Sequence, residues 1–138
     1  MGITIYNKKT ELDCSYIGFF RLRKHIASLI SEEFQEFYGN IKPCGDEQYW
    51  TEYDRILEEV MIPKYFENNP KVGHGVLDFF FASDYEGEVD AMTCQSLWEL
   101  IKDNNEEFVF GYGENGKWSD FKELVEQCVE SQIAMRWA

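Results

Sequence analysis

The chain has 138 residues, and its 26 Asp and Glu side chains outnumber its 13 Lys and Arg, which gives a formal net charge of −13. Such a charge repels nucleic acid and anionic membranes and attracts basic partners. Apolar residues make up 44% of the chain, which is too much for a disordered protein and enough for one domain over residues 1–138.

The negative charge is unevenly distributed. Residues 1–42 carry six basic and five acidic side chains, whereas residues 43–138 carry seven basic and 21 acidic ones. No apolar run approaches the roughly 20 residues of a membrane span. The first residues lack the apolar stretch of a signal peptide, so we expect a cytoplasmic protein. Cys14, Cys44, Cys94 and Cys128 are far apart in sequence, which favours buried free thiols over a zinc or redox motif.

The first half of the chain predicts one strand and two helices. Ile3 and Ile5 alternate with polar residues, as in a short strand. Apolar residues at steps of three and four from Phe19 to Phe37 predict a first helix, which Gly39-Asn40 would end. Asp46 is positioned to cap a second helix, which Pro63 would break. Residues 63–75 are rich in Pro, Gly and Asn and are predicted to form a loop.

The second half predicts helices separated by turns. We predict a short buried helix over 76–82, a turn over 83–90, and a helix that is capped by Asp90 or Thr93 and ends near Lys102. A possible strand over 108–110 and a glycine-rich turn over 111–116 follow. The last predicted elements are a final helix capped by Ser119 and a last strand over 133–137, which could pair with Ile3–Ile5. We therefore predict a mainly helical α+β fold, a compact single domain of about four to five helices with two or three short strands.

Two segments partly match known ligand motifs. Residues 111–116 match the dinucleotide fingerprint G-x-G-x-x-G, but Glu114 and Asp120 would repel a phosphate, so we interpret them as a plain turn. Residues 82–93 partly match a calcium loop around Gly87, but its first and last positions are Ala82 and Thr93 rather than carboxylates. We therefore expect no metal and no cofactor.

Neither histidine indicates a catalytic site. His74 lies between glycines, and no neighbouring nucleophile and base are fixed by the sequence, so we expect an exposed loop residue. His25 is expected on the polar side of the first helix. The basic residues Arg21, Arg23 and Lys24 begin that helix, where the helix dipole disfavours them. We expect them to pair with acidic side chains, and an anion site is the alternative.

The acidic helix faces are the strongest functional indication. Carboxylates at helical spacing can imitate a phosphate backbone and so occupy a nucleic-acid-binding groove. Ordinary solvated surface is the alternative explanation. The predicted partner-binding residues are Glu47, Asp54 and Glu58 in the second helix, and Glu123, Glu126 and Glu130 in the last helix. Aromatic residues that could form an interface patch instead are Tyr49, Trp50, Tyr53, Tyr65, Phe66 and Trp118.

The sequence therefore favours a binding protein over an enzyme. The expected partner is a basic protein, such as a nuclease or another nucleic-acid-binding protein, with no direct contact to nucleic acid or membrane. A phage-type anti-defence protein and a toxin immunity protein both suit a small acidic inhibitor. The alternative is an enzyme or a small-ligand-binding protein that uses the loops at 73–90 and 111–116. A ligand pocket lined by Asp78, Asp84 and the 111–116 loop would favour this alternative.

Overall fold

The computed structural model describes residues 2–41, 55, 58–59, 62–65, 70–82, 85–112 and 116–138. In this part of the chain there are four strands: β1 (Gly2–Tyr6), β2 (Glu11–Ser15), β3 (Gly87–Val89) and β4 (Met135–Trp137). The same part contains six helices: α1 (Tyr16–Ile30), α2 (Glu32–Ile41), α3 (Ile62–Tyr65), α4 (Pro70–Phe81), α5 (Ala91–Ile101) and α6 (Trp118–Ser131).

The strands form one antiparallel sheet in the order β2-β1-β4-β3. Ile5 pairs with Leu12 on one side and with Trp137 on the other, so the expected pairing between the first strand and the tail is confirmed. Because side chains alternate along a strand, each strand has one buried and one outer face. The buried face consists of Ile3, Ile5, Leu12, Cys14, Val89, Met135 and Trp137.

The core lies between this buried face and the helices. Phe79 of α4 is fully buried, and its ring centroid lies 6.3 Å from that of Phe19 in α1, 6.2 Å from that of Phe121 in α6 and 5.9 Å from that of Trp137 in β4. Aromatic rings at these separations contribute more than the burial of their area alone. One ring thus ties three helices to the sheet.

Two glycines allow close approach between elements. A Cβ atom at Gly18, in the first turn of α1, would overlap the carbonyl oxygen of Phe110, and one at Gly87 would overlap the indole of Trp137. Any larger residue would force the contacting groups apart. Gly18 therefore holds the 108–112 segment against α1, and Gly87 holds β3 against β4.

The predicted α+β class is confirmed, but the predicted numbers of elements are wrong. The first helix is two helices, because Ser31 is extended and its hydroxyl accepts a hydrogen bond from the Phe34 amide at 2.9 Å, which starts α2. Strand β2 was not predicted, although Leu12 and Cys14 alternate with polar residues as the apolar residues of β1 do. Strand β3, with three residues, lies inside the segment that was predicted to be a turn.

The prediction of a loop over 63–75 is also wrong. Helix α3 begins at Ile62, and α4 begins at Pro70 and includes His74 and the neighbouring glycines. Proline suits the first position of a helix, where the missing N–H would have no intrahelical acceptor. Of the helix predicted between Asp46 and Pro63, only Arg55, Glu58, Glu59 and Ile62 lie among the described residues.

Near the C-terminus, residues 108–110 do not form a strand of the sheet. Val109 forms an isolated bridge with Lys117 instead. The final helix starts at Trp118 rather than after Ser119, and the Lys117 amide donates to the Asp120 carboxylate at 3.1 Å. The predicted cap at Asp90 is confirmed, since its carboxylate accepts from the Thr93 amide at 2.8 Å. None of the helices in the described part of the chain has the length and hydropathy of a membrane-spanning segment.

The thiols of Cys14, Cys94 and Cys128 are free and buried, as predicted, and Cys44 lies outside the described residues. Burial, with a smaller effect from Asp13, raises the pKa of Cys14 from 9.0 to about 12. Cys94 and Cys128 form a hydrogen bond between α5 and α6, which raises the pKa of Cys94 and lowers that of Cys128 to about 7. The described cysteines are therefore part of the core.

Candidate functional site

The acidic row predicted for the last helix lies on α6. Its apolar residues Trp118, Phe121, Leu124, Val125 and Cys128 are buried, which directs the opposite face of the helix to solvent. That opposite face carries the three predicted carboxylates. Glu123 and Glu130 are exposed and Glu126 is half-buried. The row is thus a consequence of how α6 packs.

The carboxylates of this row are not neutralised by neighbouring cations. Among the described residues, none of Glu123, Glu126 and Glu130 makes an ion pair or a side-chain hydrogen bond. Elsewhere, Glu99 pairs with Lys102 at 2.8 Å and Glu88 pairs with Arg136 at 3.1 Å. The α6 row therefore leaves its negative charge available to a partner.

An open depression of about 710 Å³ lies beside the row, between α6 and the residues that join β1 to β2. Its acidic lining consists of Glu11, Asp13, Asp120 and Glu123, and its basic lining of Lys8 and Lys9. The Asn7 side-chain amide donates to the Leu124 carbonyl at 3.1 Å. The Thr10 hydroxyl donates to the Gln127 side chain at 2.7 Å. These bonds fix the β1–β2 turn against α6. We call this depression and the α6 row together the acidic surface.

Two carboxylates of the depression are held in place and two are not. Asp13 accepts from the Thr4 hydroxyl at 2.6 Å, and Asp120 accepts from the Lys117 amide at 3.1 Å. Asp120 also lies in the first turn of α6, where the helix dipole stabilises a negative charge. Glu11 and Glu123 have no side-chain hydrogen bond within the described part of the chain. Such a mixture of fixed and adjustable acceptors suits a lysine or arginine side chain.

The other half of the predicted site is described only at one residue. Glu58 is exposed, and Glu47 and Asp54 lie outside the described residues. Next to Glu58, Arg55 and Glu59 form an ion pair at 3.3 Å.

The two histidines lie in environments that differ from those predicted. His25 is not on the polar side of α1, because its ring centroid lies 4.6 Å from those of both Phe108 and Trp118. Its Nε2 lies 3.1 Å from Asn104 Oδ1, and its Nδ1 lies 3.6 Å from a carboxylate oxygen of Glu106. His25 thus packs the 104–108 segment onto α1. His74 lies within α4 rather than in a loop.

The described residues of the two partial ligand motifs take part in a bridge and in a strand. Gly111 bridges to Cys14, and the amides of Phe110 and Gly111 donate to the Gly116 carbonyl, so the ends of the glycine-rich turn close on each other. In the calcium-loop segment, Gly87 belongs to β3. No group of three or more His, Cys, Asp and Glu with metal-site geometry occurs in the ranges that the structure describes.

Arg23 is neither a surface cation nor part of an anion site, because its side chain is completely buried. The guanidinium carbon lies 4.0 Å from the Phe19 ring centroid and 5.3 Å from that of Trp137. One of its N–H groups donates to the Ala82 carbonyl at 3.1 Å. This cation is stabilised by aromatic faces and a carbonyl group in the core, whereas Arg21 is exposed.

Of the aromatic residues singled out from the sequence, only Trp118 has a described side chain. That side chain is buried. Sequence reasoning missed Ile17, Tyr85 and Tyr112, which are 75%, 72% and 58% exposed. A sequence signal existed for the two tyrosines, since Tyr85 lies between Asp84 and Glu86 and Tyr112 between two glycines.

No family model, curated protein or solved structure matches this chain.

Proposed function

We propose that this protein is a cytoplasmic binding protein that inhibits a basic protein, which itself binds or cleaves nucleic acid. The observation that carries the proposal is the acidic surface, whose α6 carboxylates make no ion pair among the described residues. Fixed negative charge of this kind attracts basic surfaces and speeds association. The protein acts by occupying its partner, and it catalyses no reaction.

The spacing of the row supports mimicry of nucleic acid. Successive carboxylates are three or four residues apart, which corresponds to about 5 Å along a helix axis. Phosphates of one strand of a duplex are about 3.4 Å apart along its axis. The row therefore carries fewer charges per unit length than a strand of phosphates, and it can meet only some of the cations in a phosphate-binding groove. An inhibitor of a bacterial defence nuclease and an immunity protein against a nuclease toxin would both use such a surface.

The test is capture from the native host with wild-type protein and with a triple variant, Glu123→Lys, Glu126→Lys and Glu130→Lys. A matched control reverses three carboxylates outside the acidic surface, Glu32, Glu36 and Glu107, which are exposed. Both variants change the net charge equally. We expect the control to retain the partner and the α6 variant to lose it. Equal retention by both variants would show that the acidic surface is not the binding site.

A further inference from the structure

An exposed patch of apolar and aromatic side chains surrounds the start of α1. Ile17, Tyr85 and Tyr112 are each more than half exposed. Tyr16 completes the patch, since its ring contacts that of Tyr85 edge-on at a centroid distance of 5.6 Å. We call these four residues the tyrosine patch. Large apolar side chains grouped at a surface mark interaction sites more often than scattered ones do.

Backbone contacts hold the parts of the patch together. The Tyr112 amide donates to the Asp13 carbonyl at 2.8 Å, two residues before Ser15, whose hydroxyl caps α1. Gly18 lies directly against the Phe110 carbonyl, so the 110–112 segment flanks the first turn of α1. The segment that carries Tyr112 therefore lies next to the turn of α1 that carries Ile17.

Asp13 also connects the tyrosine patch to the acidic surface. Its carbonyl binds Tyr112, while its carboxylate lines the depression with Glu11, Asp120 and Glu123. The tyrosine patch and the carboxylates of the depression are thus linked through the backbone of Asp13. A guanidinium group satisfies both, since it stacks on aromatic faces and forms paired hydrogen bonds with carboxylates. A lysine ammonium uses the carboxylates equally well but lacks the planar stacking.

We propose that the tyrosine patch is the docking site for arginine side chains of the basic partner, an inference that rests on the proposed function. The occupant is argued from charge, because a second copy of this chain would bring its own net charge of −13 to the interface. Arginines contact Tyr85 and Tyr112 while neighbouring cations of the same partner occupy the acidic depression. The acidic surface steers the partner, and the tyrosine patch selects arginine over lysine.

The experiment titrates the isotope-labelled protein with a 12-residue peptide of alternating arginine and serine, and with its lysine counterpart, and follows backbone amide resonances. We expect the arginine peptide to shift resonances at residues 13–17, 85–86 and 111–112, and to bind more tightly. Tyr85→Leu and Tyr112→Leu should each weaken the arginine peptide by roughly two- to five-fold, as expected for an exposed ring under a cation. Each should weaken the lysine peptide less, because an ammonium over a ring lacks the planar stacking of a guanidinium. The matched control is Met92→Ala, a substitution of an exposed side chain on α5.

Failures of the two proposals give different results. One outcome is that both peptides bind with equal affinity, that the leucine variants do not change this affinity, and that reversal of Glu123 and Glu130 weakens it. In that case the patch inference is wrong and the proposed function stands. If reversal of those glutamates changes neither peptide, the proposed function fails. If sedimentation shows a dimer that Ile17→Asp dissociates, a second copy occupies the patch and the inference is overturned.

Discussion

Replacement of Arg23 by alanine should destabilise the protein strongly, because this charged side chain is completely buried. Its guanidinium lies over Phe19 at 4.0 Å and donates to the Ala82 carbonyl. A desolvated cation–aromatic contact contributes about 2 kcal/mol. A hydrogen bond from a charged donor contributes about 1.5–3 kcal/mol. Together these losses predict that Arg23→Ala lowers the free energy of unfolding by about 3.5–5 kcal/mol.

The measurement is urea unfolding followed by tryptophan fluorescence, with Arg21→Ala as the control. Arg21 lies two residues earlier on α1 and is exposed, so its removal should change stability by no more than about 0.5 kcal/mol. Arg23→Lys should give an intermediate loss, because lysine retains the charge but not the planar stacking. A loss below about 1 kcal/mol for Arg23→Ala would refute the view that this cation organises the core.

The remaining predictions concern stability. Cys14 keeps its proton in the folded state up to a pKa of about 12, whereas the unfolded thiol ionises near 9.0. The free energy of unfolding should therefore fall as pH rises from 9 to 12, and Cys14→Ala should reduce the slope of that fall by at most about 1.4 kcal/mol per pH unit. The measurement is urea unfolding of both proteins at several pH values. Parallel dependences of stability on pH for the wild-type protein and the variant would contradict the raised pKa of Cys14. Gly87→Ala should cost about 1–3 kcal/mol in thermal unfolding because of the overlap with Trp137. The control Gly39→Ala, whose Cβ would meet only the Lys24 side chain, should be neutral or stabilising.

Residue patterns predicted the elements that have a clear period or cap. The α5 helix was predicted from Asp90 and the periodic apolar residues that follow it. The outer strands were harder because they are short: β2 has five residues, of which only Leu12 and Cys14 are apolar, and β3 has three residues in all. Helix α4 contains Pro70 and two glycines, and both residue types have a low helix propensity. It is nevertheless helical because Val76, Phe79 and Phe80 bury their side chains in the core, and tertiary packing overrides propensity.

The candidate site was partly predictable for the same reason. The row on α6 follows from helical periodicity alone, since its apolar residues determine which face is buried. The depression was not predictable, because it brings Glu11 and Asp13 of β2 next to Asp120 and Glu123, over a hundred residues later in the chain. The burial of Arg23 was missed for a related reason. Its partners come from α1, α4 and β4, and no local pattern links them.

The most direct test of the central claim is the rate of association with the captured partner, measured by stopped flow at low and at high salt. If the acidic surface steers a basic partner, the association rate of the wild-type protein should fall by at least about ten-fold as salt rises. Reversal of Glu123 and Glu130 to lysine should lower the low-salt rate while changing the dissociation rate little, because exposed charges act mainly on association. An association rate that is independent of salt, and equal for the wild-type and reversed proteins, would contradict the proposal that α6 recognises its partner through charge.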